Sequence, residues 1–376
     1  MEVKGIDLFS PLVVVVIILF YLFFGFICLQ LHMKGLPSVS NITYIYVLFG
    51  ILTFLGGYLF AKIIERNVFS DKSLGINTFL DYIEKHPNYT KNGVLFWVIF
   101  SIALQIVNLV LMGGIPIFSG YLKASAYNMV TILAYLLFIL SINVLLVKWN
   151  RNKYFLLVAL GVLVFALTGY RALIVGIILT ILITVYYTQS KKREYFLILV
   201  PAIIFIGLIM GYVAAISIEW QHWQENALSL IFIRAGYTLH ILDLIVNLPH
   251  HTSGLISYTV LTGFLSSMDP RLVLGQQVLH TNSSITATLF GPAILEFGYV
   301  GLGIQMLFFG IILELIHYLQ KIKKGLYTVL YGLGLSYIII WVETSPLDLM
   351  VWIYFLAAVV VVISAILSSI LYNRSK

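Results

Sequence analysis

Apolar runs of about 20 residues fill most of this chain, and they constrain its fold more than any other feature. They cover residues 10–31, 42–64, 93–113, 128–148, 154–170, 171–189, 195–216, 297–320, 326–344 and 348–371. A helix of roughly 20 apolar residues spans the hydrocarbon core of a bilayer. Charged residues make up only 10% of the chain, against about a quarter in soluble proteins. The sequence therefore predicts an all-α polytopic membrane protein with about ten transmembrane helices, forming a single integral membrane domain over residues 1–376.

The distribution of Lys and Arg predicts how the chain is oriented. The first run lacks a small-residue cleavage site and is followed by a second run, so we expect a retained helix and not a signal peptide. If both termini are cytoplasmic and the spans alternate, the basic residues outside are five of 22: Lys34, Lys123, Arg171, Arg234 and Arg271. Cytoplasmic connections carry an excess of Lys and Arg. Both termini are therefore predicted to be cytoplasmic, and no nucleic-acid partner is expected from the net charge of +7.

One long interval, 217–296, separates the N-terminal helices within 1–216 from the C-terminal helices within 297–376. It contains no Lys, two Arg and five of the eight His: Arg234, Arg271, His222, His240, His250, His251 and His280. We interpret it as one large extracytoplasmic loop that carries the functional site. Residues 222–248 have helical character up to Pro249. Within them, Gly236, His240, Asp243 and Asn247 recur at spacings of three and four that place them on one helix face.

Three arginines on the predicted outer side are candidate ligand-binding residues. Arg171 has no acidic neighbour in sequence, and Arg234 lies in the apolar stretch 231–236. A charge in such a setting is costly and indicates a functional site, although an arginine can also extend its guanidinium to the lipid headgroups. Arg271 follows an Asp-Pro pair, so an ion pair with Asp269 is the alternative to ligand binding. Guanidinium groups donate two parallel hydrogen bonds to phosphate oxygens, and together these arginines suit a pyrophosphate.

His280 is the candidate catalytic base, because it begins the polar run His-Thr-Asn-Ser-Ser that leads into a span. Imidazole titrates near neutral pH and can accept a hydroxyl proton; a hydrogen-bonded structural His is the alternative. His240 and Asp243 form either an oriented dyad or a packing pair. Glu296, at the predicted membrane boundary, is either a site residue or the counter-ion of an arginine.

No metal site or cofactor is expected from the sequence. His250 and His251 are adjacent, so their side chains point apart on regular backbone, and no His-x-x-x-His spacing occurs. Cys28 is the single cysteine. A single cysteine excludes both an intrachain disulfide and a Cys-x-x-Cys metal site.

Several short motifs together resemble a known family, and they extend over nearly the whole chain. The segment 113–119 reads GGIPIFS, residues 168–171 read TGYR, and Arg234 comes early in the large predicted loop. The loop ends with His280-Thr281-Asn282, and residues 296–303 read EFGYVGLG, an acidic-x-Gly-x-x-Gly start of a late span. In these features the chain resembles the O-antigen polymerases and oligosaccharide repeat-unit polymerases, which are related to the O-antigen ligases.

The resemblance implies a metal-independent membrane glycosyltransferase of the glycosyltransferase-C-like, all-helical class. It would polymerise polyprenyl-diphosphate-linked oligosaccharide repeat units at the outer face of the cytoplasmic membrane. By the family pattern, Arg171 and Arg234 hold the diphosphate, and His280 lies near the acceptor hydroxyl. We also predict Arg271 as a diphosphate ligand and Tyr170 as a supporting residue. The chain departs from the pattern at 114–127, where Lys123 is the one basic residue.

Two other functions remain open on the sequence. An O-antigen-ligase-like enzyme would use the same donor site and transfer the glycan to another acceptor. A transporter or flippase would move the lipid-linked oligosaccharide without chemistry. In each case the expected partners are the lipid-linked oligosaccharide, membrane lipids and other proteins of envelope polysaccharide assembly.

Overall fold

A computed structural model describes residues 7–69, 78–85, 90–126, 128–149, 153–188, 227–249, 251–263 and 269–374. Within these ranges the regular structure is entirely helical. The helices are α1 (Val13–Gln30), α2 (Asn41–Val68), α3 (Phe79–Lys85), α4 (Lys91–Leu111), α5 (Gly120–Ala126), α6 (Met129–Trp149), α7 (Tyr154–Ala166), α8 (Arg171–Thr188), α9 (Ala227–Val246), α10 (Leu255–Leu261), α11 (Pro270–Leu279), α12 (Gly291–Lys323), α13 (Leu326–Thr344) and α14 (Leu349–Arg374). Single turns of 3₁₀ helix occupy Met33–Gly35 and Pro116–Phe118.

In the described part of the chain, nine helices are long and apolar enough to cross a membrane: α1, α2, α4, α6, α8, α9, α12, α13 and α14. The prediction of an all-α polytopic membrane protein is therefore confirmed. The predicted span 154–170 forms only the 13-residue helix α7, and the predicted span 195–216 lies outside the described residues. The orientation of the termini stays a prediction.

Helix α9 lies inside the interval that we interpreted as a loop. The predicted helical character of 222–248, ending before Pro249, is confirmed by α9. Its residues Ser229–Val246 are apolar enough for a membrane span, because only Arg234 and Asp243 are charged in that stretch. The described parts of 217–296 also contain α10 and α11. The described parts of the interval are thus largely helical, and its location outside the membrane as one extracytoplasmic loop stays a prediction.

The described residues fall into two compact units. The first comprises 1–79, 233–323 and 337–376, and the second comprises 80–232 and 324–336. The single membrane domain that we predicted over 1–376 stays a prediction, since compact clustering does not show that a unit folds alone.

In the first unit, α2 and α12 run parallel and in close contact. A Cβ atom added at Gly57 would overlap the carbonyl oxygen of Leu307, and one added at Gly310 would overlap that of Phe54. Small residues at such positions let two helix backbones approach each other, which is how apolar helices pack inside a bilayer. Further along, the rings of Phe69 and Tyr318 stack with centroids 5.5 Å apart. This pairing makes α2 and α12 the framework of the first unit.

Helices α1 and α14, together with residues 337–344 of α13, complete this framework. Asp7, just before α1, contacts His317 near the end of α12, so α1 runs antiparallel to α12. Ser369 near the end of α14 donates a hydrogen bond to the carbonyl of Val68, so α14 runs parallel to α2. As a result, α2, α12 and α14 begin, and α13 ends, at one end of the unit, which we call the site end.

A cluster of charged side chains occupies the opposite end of the first unit. Glu314, whose side chain is 1% exposed, forms ion pairs with Lys62 and His317. Asp7 pairs with His317 at 3.0 Å and with Lys321 at 2.9 Å. These contacts connect the start of α1 to the ends of α2 and α12, and they lie away from the site end.

The second unit is built around α4, α6, α7 and α8. Asn143 of α6 accepts a hydrogen bond from the Thr184 hydroxyl of α8 at 2.8 Å. Glu84 of α3 pairs with Lys148 at 2.9 Å and accepts the backbone N–H of Leu326 at 2.8 Å. Some buried polar groups of this unit are thus hydrogen-bonded within it, whereas the Gln105 amide has no hydrogen-bond partner among the described residues.

Candidate functional site

At the site end, two arginines pair with carboxylates in one short segment, residues 343–348. This segment, which we call the 343–348 connection, comprises the last two residues of α13 and the residues that lead to α14. The Nε of Arg234 donates to Glu343 Oε1 at 2.9 Å, and its Nη2 donates to Thr286 Oγ1 at 2.8 Å. The Nη2 of Arg271 donates to Asp348 Oδ1 at 2.7 Å. Both predicted diphosphate ligands from the 217–296 interval are therefore brought to the same six-residue segment.

Arg234 is positioned by the packing of α9 against α1. A Cβ atom at Gly236 would overlap the Cys28 side chain, and the hydroxyls of Tyr21 and Thr238 lie 2.7 Å apart. These contacts fix α9 along α1 and leave the Arg234 side chain 34% exposed. Its Nη1 makes no hydrogen bond to the residues that the structure describes, so this edge of the guanidinium can accept a ligand.

Arg271 lies in the first turn of α11. Asp269 caps this helix, and its side chain accepts the backbone N–H of Arg271 at 2.9 Å. The guanidinium itself turns to Asp348, and the two side chains are only 16% and 13% exposed. The alternative of an Asp269–Arg271 ion pair is therefore wrong. Asp269 is an N-cap residue, and the counter-ion of Arg271 is Asp348, the residue just before α14.

The segment 280–290 leads into α12 and contacts both arginines and the 343–348 connection. The N–H of Ile285 donates to the carbonyl of Arg271 at 3.3 Å, and the N–H of Ala287 donates to Ser345 Oγ at 2.8 Å. Thr286, between them, receives the Arg234 hydrogen bond. Residues 285–287 therefore connect both arginines to the 343–348 connection by hydrogen bonds.

Glu296 is buried at a break in α12. Its residue is 5% exposed, and its two carboxylate oxygens accept hydrogen bonds from the N–H and the hydroxyl of Ser257, each at 2.6 Å. The next two residues leave helical geometry, with φ/ψ of −140°/19° at Phe297 and 62°/−144° at Gly298. Glu296 was predicted to be a site residue or the counter-ion of an arginine. Its described contacts exclude the second role.

A cavity of about 650 Å³ lies between α10, α12 and α14. Its polar side chains are those of Ser257, Glu296 and Gln305. The rest of the lining is apolar: Ile256, Val260, Leu261, Pro292, Ala293, Phe297, Val300, Gly301, Ile304, Phe308, Pro346, Trp352 and Leu356. Small-molecule sites are typically apolar with a few polar groups that orient the ligand. Pro346 lies between the two counter-ions in sequence, so the cavity reaches this segment, although neither arginine nor its counter-ion lines it.

Other predicted site residues lie elsewhere in the first unit. His280 is exposed and ends α11 in the left-handed conformation, with φ 52°, and it does not line the cavity. Asp243 accepts hydrogen bonds from the Ser40 N–H at 2.9 Å and the Thr43 hydroxyl at 2.6 Å. It therefore caps α2, which favours the packing role over a dyad. Nδ1 of His240 is buried and has no hydrogen-bond partner among the described residues.

Arg171 and Tyr170 belong to the second unit. Arg171 is exposed at the start of α8, and the Tyr170 hydroxyl donates to the carbonyl of Lys123 at 3.0 Å. The N–H of Ile117, in the 113–119 motif, donates to the carbonyl of Leu167 at 3.0 Å. The two sequence motifs 113–119 and 168–171 are therefore packed together. The predicted roles of Arg171 and Tyr170 remain predictions.

Comparison with known proteins identifies the family. The family model described as "Putative O-antigen polymerase" matches residues 7–355, nearly the whole chain. The chain belongs to the O-antigen polymerase family. The resemblance inferred from the sequence motifs is thereby confirmed, and it covers both compact units.

Two relatives of this O-antigen polymerase family member are uncharacterized proteins of Methanocaldococcus jannaschii. One is 27% identical over 363 residues, covering 89% of each chain. The other is 25% identical over 292 residues, covering 76% of this chain and 78% of the relative. No solved structure matches the chain. Membership of the O-antigen polymerase family supports a membrane polymerase-like or ligase-like function.

Sequence reasoning on this member of the O-antigen polymerase family missed Glu343, Asp348, Thr286 and Ser257. A signal for the first two was present: Glu343 lies near the end of the predicted span 326–344 and Asp348 begins the span 348–371, and no basic residue lies between them. Two carboxylates at a membrane boundary require cations from elsewhere in the chain. Among the described residues, no group of three or more His, Cys, Asp and Glu could hold a metal ion.

Proposed function

We propose that the protein is a glycosyltransferase that polymerises polyprenyl-diphosphate-linked oligosaccharide repeat units. The observation that carries the proposal is the pair of arginines held by Glu343 and Asp348 beside the cavity. Two residues of chain span at most about 7 Å, so Asp348 and its Arg271 partner lie close to Pro346 on the cavity wall. Two arginines next to an apolar cavity suit a ligand with an anionic diphosphate and a hydrocarbon chain.

The reaction transfers the sugar chain of one lipid-linked donor to the hydroxyl of an acceptor. A bond forms between the acceptor oxygen and the anomeric carbon, the bond from that carbon to the diphosphate oxygen breaks, and the lipid diphosphate leaves with the electron pair. Arg234 and Arg271 stabilise the charge that develops on the diphosphate. In this proposal Arg171 is a further diphosphate ligand, and no metal ion takes part.

The proposed site faces the outside of the cytoplasmic membrane. The bias of Lys and Arg favours cytoplasmic termini. Asp7, before α1, contacts the far end of α12, so the site end is then the outer end. The donor would reach the site from the outer leaflet, and other assembly proteins would supply it there.

The direct test is a glycosyl-transfer assay with the purified protein and a lipid-diphosphate oligosaccharide, with and without a chelator. A ladder of products in the presence of chelator supports the metal-independent polymerase. A single transfer to a different acceptor would instead show ligase chemistry. Movement of the lipid between leaflets without a new glycosidic bond would show a transporter and would refute the proposal.

The arginine pair is tested by variants that keep the charge balance. Arg271→Lys keeps the ion pair with Asp348 but loses the planar fork, so we expect product formation to fall about 10²-fold, the usual effect of losing one charge-stabilising donor. Arg66→Lys is the matched control, because Arg66 is exposed at the last turn of α2, at the opposite end of the first unit. Full activity of a folded Arg271→Gln/Asp348→Asn double variant would show that this arginine does not bind the diphosphate.

A further inference from the structure

Glu296 differs from the other carboxylates at the site end in its surroundings. It is 5% exposed, and the groups that solvate it are the N–H and hydroxyl of one residue, Ser257. It forms no ion pair with the described Lys, Arg and His side chains. Burying a carboxylate without a cation is costly, and a protein that needed only packing at this position would gain stability from an apolar side chain.

The chain is folded locally so that this carboxylate lines the cavity. Where α12 breaks, the carbonyls of Leu295 and Glu296 accept hydrogen bonds from the N–H groups of Thr252 and Ser253, at 2.9 and 3.3 Å. These replace helical hydrogen bonds that the break removes. The same crossing segment continues into α10, whose Ser257 holds the Glu296 side chain. The break in α12 and the carboxylate are therefore parts of one arrangement.

The remaining carboxylates near the cavity are already used. Glu343 and Asp348 are paired with Arg234 and Arg271, so both carboxylates already serve as counter-ions. His280, the base that we predicted from the sequence, is exposed at the end of α11 and does not line the cavity. Among the titratable side chains named here, Glu296 is the one that is buried, unpaired with a cation and in contact with the space for a ligand.

We propose that Glu296 is the general base that takes the proton from the acceptor hydroxyl, a role that rests on the proposed glycosyltransferase function. As the acceptor oxygen bonds to the anomeric carbon, its proton passes to a Glu296 carboxylate oxygen, and the lipid diphosphate departs with its electron pair. Ser257 is a positioning residue, because its two hydrogen bonds fix the carboxylate. The proton then leaves Glu296 for water when the product vacates the cavity.

The test compares Glu296→Gln with Glu296→Ala in the purified full-length protein. Gln keeps the size and an acceptor oxygen for the Ser257 N–H, so the variant should elute as a folded monodisperse species. General-base catalysis contributes roughly 10²–10⁴-fold, so kcat should fall by at least about 10² while KM stays within a few-fold. Glu296→Ala opens space beside Ser257. Added formate should therefore raise the kcat of this variant at least about tenfold above its value without formate.

The controls separate a base from a structural carboxylate. Glu84→Gln removes a charge from a structural ion pair in the second unit and should keep kcat near the wild-type value. A Glu296→Gln protein within about threefold of wild-type kcat overturns the assignment. So does a raised KM together with no formate rescue in Glu296→Ala, because that pattern indicates a structural role.

The wild-type protein keeps the two proposals apart. A wild-type ladder combined with an active Glu296→Gln variant refutes the base and leaves the polymerase proposal standing. The absence of any wild-type transfer, with the lipid-linked donor intact, refutes the glycosyltransferase itself and the base with it.

Discussion

Gly298, in the break of α12, provides the sharpest test of how the backbone supports the site. Its φ of 62° and ψ of −144° lie in a region that is essentially restricted to glycine. A side chain held there costs on the order of 1–3 kcal/mol. Ala also reduces the conformational freedom of the unfolded chain, which offsets about 0.4–1 kcal/mol. We therefore expect Gly298→Ala to destabilise the fold by about 1–2 kcal/mol.

The steric part of this cost is small. A Cβ atom at Gly298 would lie 3.2 Å from Nε2 of His251, but His251 is exposed and its ring can move away. Backbone strain therefore dominates, and His251→Ala in the Gly298→Ala background should recover little stability. Full recovery in that double variant would show that the contact, and not the backbone conformation, sets the cost.

The assay is thermal unfolding of the purified protein in detergent, measured alongside product formation. The expected destabilisation lowers the apparent Tm by about 2–5 °C. Activity should fall more steeply, because a displacement of about 1 Å at Glu296 can cost on the order of 10²-fold. Gly56→Ala is the matched control: it lies in α2, a Cβ atom there meets nothing within 4 Å, and Ala is favoured over Gly in a helix by roughly 0.5–1 kcal/mol. A Gly298→Ala protein with wild-type Tm and activity would refute the reasoning.

Two further predictions concern structural charges. Asp243→Ala leaves the Ser40 N–H and the Thr43 hydroxyl without their acceptor, and we expect a loss of about 2–3 kcal/mol in thermal unfolding, with the kcat of the folded fraction unchanged; a selective loss of kcat would favour a dyad with His240 instead. Glu314→Gln removes the buried carboxylate that pairs with Lys62 and His317 and leaves Lys62 only Glu65, so it should destabilise by about 3 kcal/mol. A Lys62→Met/Glu314→Met double variant should recover most of that loss, and failure to recover would mean that the pair is needed for more than charge balance.

The helices could be predicted because membrane insertion depends on local composition. Runs of about 20 apolar residues identify helices wherever they occur, and α2, α6 and α13 follow their predicted runs within a few residues. Helix α9 was predicted as a helix but placed in a loop, because Arg234 and Asp243 lower its hydropathy. In the fold these two side chains are paired with Glu343 and with Ser40 and Thr43, so their charge no longer prevents the helix from packing against α1.

The site could be predicted only in part. Arg234, Arg271 and Glu296 were recognised because a charge in an apolar sequence is costly and needs a reason. Glu343 and Asp348 were missed as counter-ions, and the choice of His280 as the catalytic base stays a prediction. The imidazole was favoured for its neutral-range titration, a property of the residue type. Its exposure at the end of α11, and the burial of Glu296 in the cavity wall, depend on how α10, α11 and α12 pack.

The sequence by itself determined that this chain is an all-helical membrane protein of the O-antigen polymerase family, and it identified most of the charged residues near the site. The tertiary structure decided which of them meet. Arg234 and Glu343 are 109 residues apart in sequence, and Arg271 and Asp348 are 77 apart. Hydrophobicity acts on each segment separately, whereas an ion pair or a cavity wall forms only after several helices have packed. The counter-ions and the cavity are therefore properties of the assembled helices.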